Sequence, residues 1–343
     1  MSQTAPIKDA QALIELYYNK GWTDGLPVVP PSEASVGATL AAAGLQGDEV
    51  IGEIPDRHVR VTADKVAINA VLAGCLPEYM PVVVAAVKGI CHPDYCYHGA
   101  ATSTGGSAVA TIVNGPIAPR LEINARDNVL GQGFRANATI GRAVRLVMMN
   151  AINTRPGKLD RSTLGNPGKY SLCFAENEAE SPWEPLHVER GYRPDESTVT
   201  VFAAEGLIQI YNQLSSTADQ LLLPFADAMS NLGSMNIAGQ AQIVVLFAGE
   251  HCETLRASGW SKRQVKDYLY DHAKRTVADV KRAGRIAGPV APEDERTWRH
   301  PVKSADDIVV VTAGGRAGAF SAVLMGWGSA AHTRSVTTPV VLP

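Results

Sequence analysis

The stretch from Ile308 to Gly318, Ile-Val-Val-Val-Thr-Ala-Gly-Gly-Arg-Ala-Gly, constrains this chain more than any other. Four consecutive apolar residues run into a glycine-rich turn, the pattern of a strand covered on both faces. Two more apolar strands are expected upstream, at 198–203 and 242–248, and they alternate with helices expected at 216–230 and 261–282. Ser261 and Gln264 form a capping-box pattern at the start of the second helix. Residues 319–324 read as a further helix after the glycine turn. Strand and helix in alternation predict a parallel sheet flanked by helices. The 343 residues suit about two domains at the usual ~150 each. The expected fold class is therefore α/β with two domains. Residues 1–194 form a mixed α/β domain with long loops, and 195–343 an α/β domain built on the parallel sheet.

The N-terminal part opens with a helix expected at 7–19, followed by a turn-rich loop at 21–31. Thr62 caps a helix expected to reach residue 75, and Pro77 opens another to about residue 90. A short strand is expected at 110–114, and Asn137 caps a helix running to residue 150. Residues 155–192 are rich in proline, glycine and charge, and read as long loops around one strand at 171–175.

Several clusters could carry chemistry. Glu176, Asn177 and Glu178 follow the strand at 171–175, and His187, Glu189 and Arg190 come soon after. Carboxylates and a histidine held together can divide acid and base roles when burial separates their pKa values. The same groups could ligate a divalent metal, whose identity the residues do not specify; a salt-bridged surface loop would have the same composition. Asn114, Asn124, Asn128, Arg135 and Asn137 supply amides and a guanidinium suited to a small polar anion. Gly314, Gly315 and Arg316 lie where a helix N-terminus after the strand would favour an anion. Their spacing, and the missing acidic strand end, do not match a nicotinamide or flavin fingerprint.

Cys75 is a candidate nucleophile at a helix end, although most such thiols are small buried hydrophobes. His98 stands beside Gly99 just before a Thr/Ser/Gly loop and is a candidate contact to substrate. The run Cys91–His98 holds two thiols and two imidazoles, but has no second ligand pair to wrap a zinc ion. Glu250 and His251 follow the strand at 242–248, on the sheet edge where ligands of open α/β sheets bind.

Composition narrows the function classes. Apolar residues make up 45 % and charged residues 19 %, which excludes a disordered chain. A net charge of −3 gives no electrostatic reason to expect nucleic acid or an anionic membrane as partner. No export signal is read at the N-terminus, and five scattered cysteines suit a reducing compartment, so a cytoplasmic location is expected. Tryptophans in apolar loops make a homo-oligomer an expectation as well.

The string Gly21-Trp-Thr-Asp-Gly-Leu-Pro-Val-Val-Pro-Pro31 resembles the opening signature of an uncharacterised bacterial family. Val66–Cys75, Arg135–Arg142, Glu176–Glu178, Ser181–Gly191 and the C-terminal Gly314, Gly315, Gly318, Phe320–Ala322 and Gly326–Gly328 resemble it too. The resemblance spans nearly the whole chain. It implies an enzyme or enzyme subunit whose relatives occur beside small proteins with a selenocysteine/cysteine-Gly-Ser-Cys motif. This chain has no Cys-Gly-Ser-Cys, so any thiol- or selenol-redox half would be a separate partner.

Together these readings predict an enzyme acting on a small anionic molecule at the domain interface. Its chemistry would be elimination/hydration or hydrolysis, that of a hydro-lyase or hydrolase. Glu176, Glu178 and His187 would carry it, with a divalent metal left open. His98, Asn114, Arg135, Asn137, Gly314, Gly315 and Arg316 would hold the substrate. The alternatives are a subunit of a thiol- or selenol-dependent reductive complex with Cys75 reactive, and a non-catalytic two-lobed binding protein.

Overall fold

The computed structural model describes residues 10–343, so the start of the first expected helix lies outside the described residues; the helix itself runs Ala10–Lys20. The fold is mixed α/β. Strands β1 (Val50–Ile54) and β2 (Val59–Thr62) form an antiparallel pair. The main sheet contains β3 (Ala108–Asn114), β4 (Cys173–Ala175), β5 (Thr198–Tyr211), β6 (Ile243–Phe247), β9 (Ile308–Thr312), β10 (Phe320–Gly326) and β11 (Val336–Pro339). Between β6 and β9 in the chain, β7 (Arg275–Thr276) and β8 (Trp298–Arg299) make a small antiparallel pair. The sheet order is β4-β3-β5-β10-β6-β9, with β11 beside β5.

The C-terminal sheet is not the parallel one expected. Only β6–β9 and β3–β4 are parallel, and the remaining pairings are antiparallel. The difference lies in residues 319–324, which form β10 instead of a helix. Phe-Ser-Ala-Val-Leu is a short apolar run, and periodicity cannot separate a buried strand from a buried helix at that length. Pairing settles it: β10 slots between β5 and β6 and satisfies its backbone on both sides.

Strand β5 is more than twice as long as the segment read from sequence, because Glu205 and Gly206 do not end it. Opposite Met325 and Gly326 the register skips Glu205, a one-residue bulge that reverses which side chains face which way. Val199, Val201 and Ala203 before the bulge therefore share a face with Ile208 and Ile210 after it. The first set packs under the helices Ala63–Ala73, Met80–Cys91 and Arg135–Asn150. The second packs with Ala218–Met229 and Lys262–His272. The helix expected at 261–282 breaks after His272, and a new one, Val277–Arg282, starts where the Thr276 hydroxyl accepts from Asp279 N–H.

The opposite face of the sheet carries one apolar layer reaching from Ile112 and Phe174 through Phe202 and Leu324 to Leu246 and Val309. Leu186 and Val129 cover it, so the loops around 115–134 and 176–192 lie there rather than long helices. Those loops bring the candidate residues together. No helix among the described residues is long and apolar enough to cross a membrane.

Candidate active site

Strands β3 and β4 run side by side in parallel, with Val113 opposite Ala175. Their next residues, Asn114 and Glu176, thus leave the same sheet edge as neighbours, and Glu176 N–H still donates to Val113 O (3.1 Å). Both side chains are buried. Asn114 Nδ2 donates to Glu176 Oε2 (2.6 Å) and to Glu178 Oε1 (3.0 Å). Leu186 N–H also donates to Glu176 Oε2 (2.8 Å), and Gly115 N–H to Glu178 Oε1 (2.7 Å). One amide and two backbone N–H groups thereby hold two carboxylates in fixed positions.

What lacks a partner is as informative. Glu176 Oε1, Asn114 Oδ1, Thr198 Oγ1 and both ring nitrogens of His187 are buried with no hydrogen bond within the chain. Buried polar atoms are ordinarily paired, so such a group of unpaired ones marks a place where something else binds or protons move. His187 Nδ1 lies 3.7 Å from Glu178 Oε1, close enough to feel its charge but too far for a hydrogen bond. Burial pushes the Glu176 carboxyl up to about 7, against the Lys262 charge and the bonds from Leu186 and Asn114 that favour ionisation.

Glu176 and Glu178 line a cavity of about 750 Å³, with Asn124, Arg126, Arg135 and Tyr79 on its other walls. Arg135 begins the helix Arg135–Asn150 and anchors its guanidinium on Gly74 O (3.2 Å from Nε, 3.0 Å from Nη2), at the carbonyl end of the helix Ala63–Ala73. Asn137 does not cap that helix, which starts two residues earlier. It sits in the first turn, where its amide bonds Asn124 in both directions (2.8 and 3.0 Å) and fixes the loop that bears Arg126.

The other expected groups go elsewhere. The glycine turn leads into β10, so the helix N-terminus that favoured an anion there is absent. Its Gly318 N–H instead donates to the carboxylate of Glu250 (2.7 Å), and Arg316 Nε pairs with Glu180 (3.1 Å). Gly314 and Gly315 line a separate cleft. His251 is satisfied at both nitrogens, by Ser321 Oγ (2.7 Å) and Asn212 O (3.1 Å). His98 accepts from Arg57 Nε (3.2 Å) and does not line the cavity. Among the described residues, no group of three His, Cys, Asp or Glu side chains is placed to hold a metal ion.

The Cys75 thiol donates to Thr139 O (3.3 Å), and burial pushes its pKa up to about 12. A thiol so protonated is a poor nucleophile. Alkylation of the folded protein by iodoacetamide at pH 8 is expected to leave Cys75 unmodified by peptide mass spectrometry. Rapid labelling would restore it as a reactive group.

Sequence reasoning missed Tyr79, Arg126 and Phe134, which line the same cavity. Arg126 had a signal, since it lies inside the amide-rich run from Asn114 to Asn137. Tyr79 and Phe134 had none, being ordinary apolar residues until the fold brings them to the carboxylates. Comparison with models of known families, with curated proteins and with solved structures gives no match.

Proposed function

We propose that this chain is an enzyme that performs general acid–base chemistry on a small carboxylate-bearing molecule in the 750 Å³ cavity. The observation that carries the reading is Glu176: buried at the cavity wall, with Oε1 unpaired and a pKa near 7. Such a carboxyl is protonated often enough near neutrality to donate, and ionised often enough to be recharged. Glu178 is the complementary base, held by Gly115 and Asn114 and backed by the unpartnered ring of His187. Arg135, whose guanidinium faces no carboxylate within ion-pair distance among the described residues, and Arg126, which also pairs with Glu180 (3.3 Å), give the cavity cations for a substrate anion.

Elimination of water from a hydroxy acid fits this division. Glu178 takes a proton from carbon as the C–O bond breaks, and Glu176 gives its proton to the departing hydroxyl. Water leaves, and the Glu178 proton returns to Glu176 through solvent. Hydrolysis would use the same pair, with water as the group that Glu178 deprotonates. The exposed Trp22 and Trp298 support the further reading of a homo-oligomer.

The test is turnover of a panel of small hydroxy and unsaturated carboxylic acids, followed by proton NMR. Glu176→Gln and Glu178→Gln are each expected to lower the rate by about 10²–10⁴-fold, and the wild-type rate to fall as pH rises through about 7. Full turnover in both variants would overturn the assignment. Binding of a ligand that both variants recover unchanged would point to the non-catalytic alternative.

A further inference from the structure

Leu186 and Glu189, at the two ends of their short helix, line another cleft of about 450 Å³, with Arg190, Lys266, Arg334 and Tyr192 among its walls. Arg190 is largely buried, and among the described residues no carboxylate comes within ion-pair distance of it. Its two Nη atoms donate to neutral hydroxyls instead, Thr337 Oγ1 and Ser335 Oγ, each at 2.6 Å. Those hydroxyls are themselves fixed: Ser335 donates to Gln242 Oε1 (2.8 Å), and Thr337 Oγ1 pairs with Thr200 Oγ1 (2.8 Å).

The carboxylates in the cleft belong to other cations. Glu189 is held by Lys262 (2.7 Å) and Lys266, and Asp306 by Arg263 (2.7 Å). Arg334 bonds Asp307 (2.8 Å). Enclosing a guanidinium whose direct partners are hydroxyls is costly; the Glu189 charge, beyond ion-pair distance, offsets part of that cost and the Arg334 charge adds to it. A guanidinium offers five N–H donors, and two hydroxyls use only part of that fork.

We infer that this cleft is a binding site for a small oxyanion, a carboxylate or a phosphate, gripped by Arg190 with Lys266 and Arg334 at its sides. The rigid hydroxyl mounting aims the fork before the ligand arrives, which limits the ordering cost of binding. The site is separate from the Glu176 cavity, and its occupancy does not depend on the acid–base reading.

Isothermal titration with inorganic phosphate and with malonate, at ionic strength matched with chloride, tests the site. At least one oxyanion is expected to bind the wild-type chain, and the tighter one identifies the ligand class. Arg190→Gln is expected to abolish this binding, and Arg190→Lys, which keeps the charge but loses the fork, to weaken it about tenfold. Arg60→Gln, in the exposed ion pair with Glu53 outside both cavities, is expected to leave it unchanged. No heat with either oxyanion, or equal affinity in wild type and Arg190→Lys, would overturn the inference. If Arg190→Gln fails to fold by circular dichroism, the Arg190→Lys comparison alone decides.

Discussion

Replacing Glu176 by glutamine is expected to stabilise the protein at pH 8 while removing much of the site's capacity for proton transfer. The carboxyl titrates near 7 in the folded chain and near 4.5 once unfolded. Between those values the folded state binds the extra proton, so the group favours folding below about pH 4.5. That contribution is lost as pH rises through 7, because a buried carboxylate must then be kept ionised. The raised pKa corresponds to about 3 kcal/mol at pH 8, at ~1.4 kcal/mol per unit. Glutamine can still accept from Asn114 and Leu186 through one oxygen and carries no charge to desolvate. Thermal melting of both proteins from pH 4.5 to 8.5 checks this. The wild type should lose stability relative to Glu176→Gln across that range, and parallel curves would show that Glu176 is not held protonated.

That behaviour follows from how the site is assembled, and much of it was legible in the sequence. Glu176 and Glu178 follow an apolar strand, and Asn114 ends another, so all three had to leave a sheet edge together once those strands paired. His187 was legible by proximity, and its position beside Glu178 agrees. The glycine turn was read through a helix that did not form. A short apolar run after Gly318 satisfies either periodicity, and only the empty strand position between β5 and β6 decides between them. The length of β5 was hidden for a related reason, since Glu205-Gly206 looks like a strand end but is a bulge whose carboxylate accepts from Met235 N–H (2.9 Å). Arg316 and Glu250 carried the expected charges, yet each found a partner within the chain. Local chemistry was visible; which charges the fold would neutralise internally depends on pairings far apart in sequence.

Gly115 is where backbone geometry and the site coincide, and Gly115→Ala is expected to be the most disruptive small substitution near the cavity. The residue has φ of +84°, and a Cβ built there would stand 2.1 Å from Glu196 O and 2.8 Å from Ser197 Cα. Left-handed backbone costs an L-residue roughly 1–2 kcal/mol. Overpacking against backbone that cannot rotate away adds about 1–3 kcal/mol more. Relief requires the 114–116 turn to move, which draws Gly115 N–H away from Glu178 Oε1 and shifts Asn114 from both carboxylates. Stability and the geometry of the acid–base pair should therefore fail together. Gly25→Ala supplies the contrast: φ there is +98°, but nothing lies within 4 Å of the added methyl. Its cost should stay near the backbone share of about 1–2 kcal/mol. Urea denaturation of the two variants separates clash from strain. A Gly115→Ala midpoint no lower than that of Gly25→Ala would mean that the 115 and 196 segments yield freely, and that the hold on Glu178 is looser than its hydrogen bonds imply.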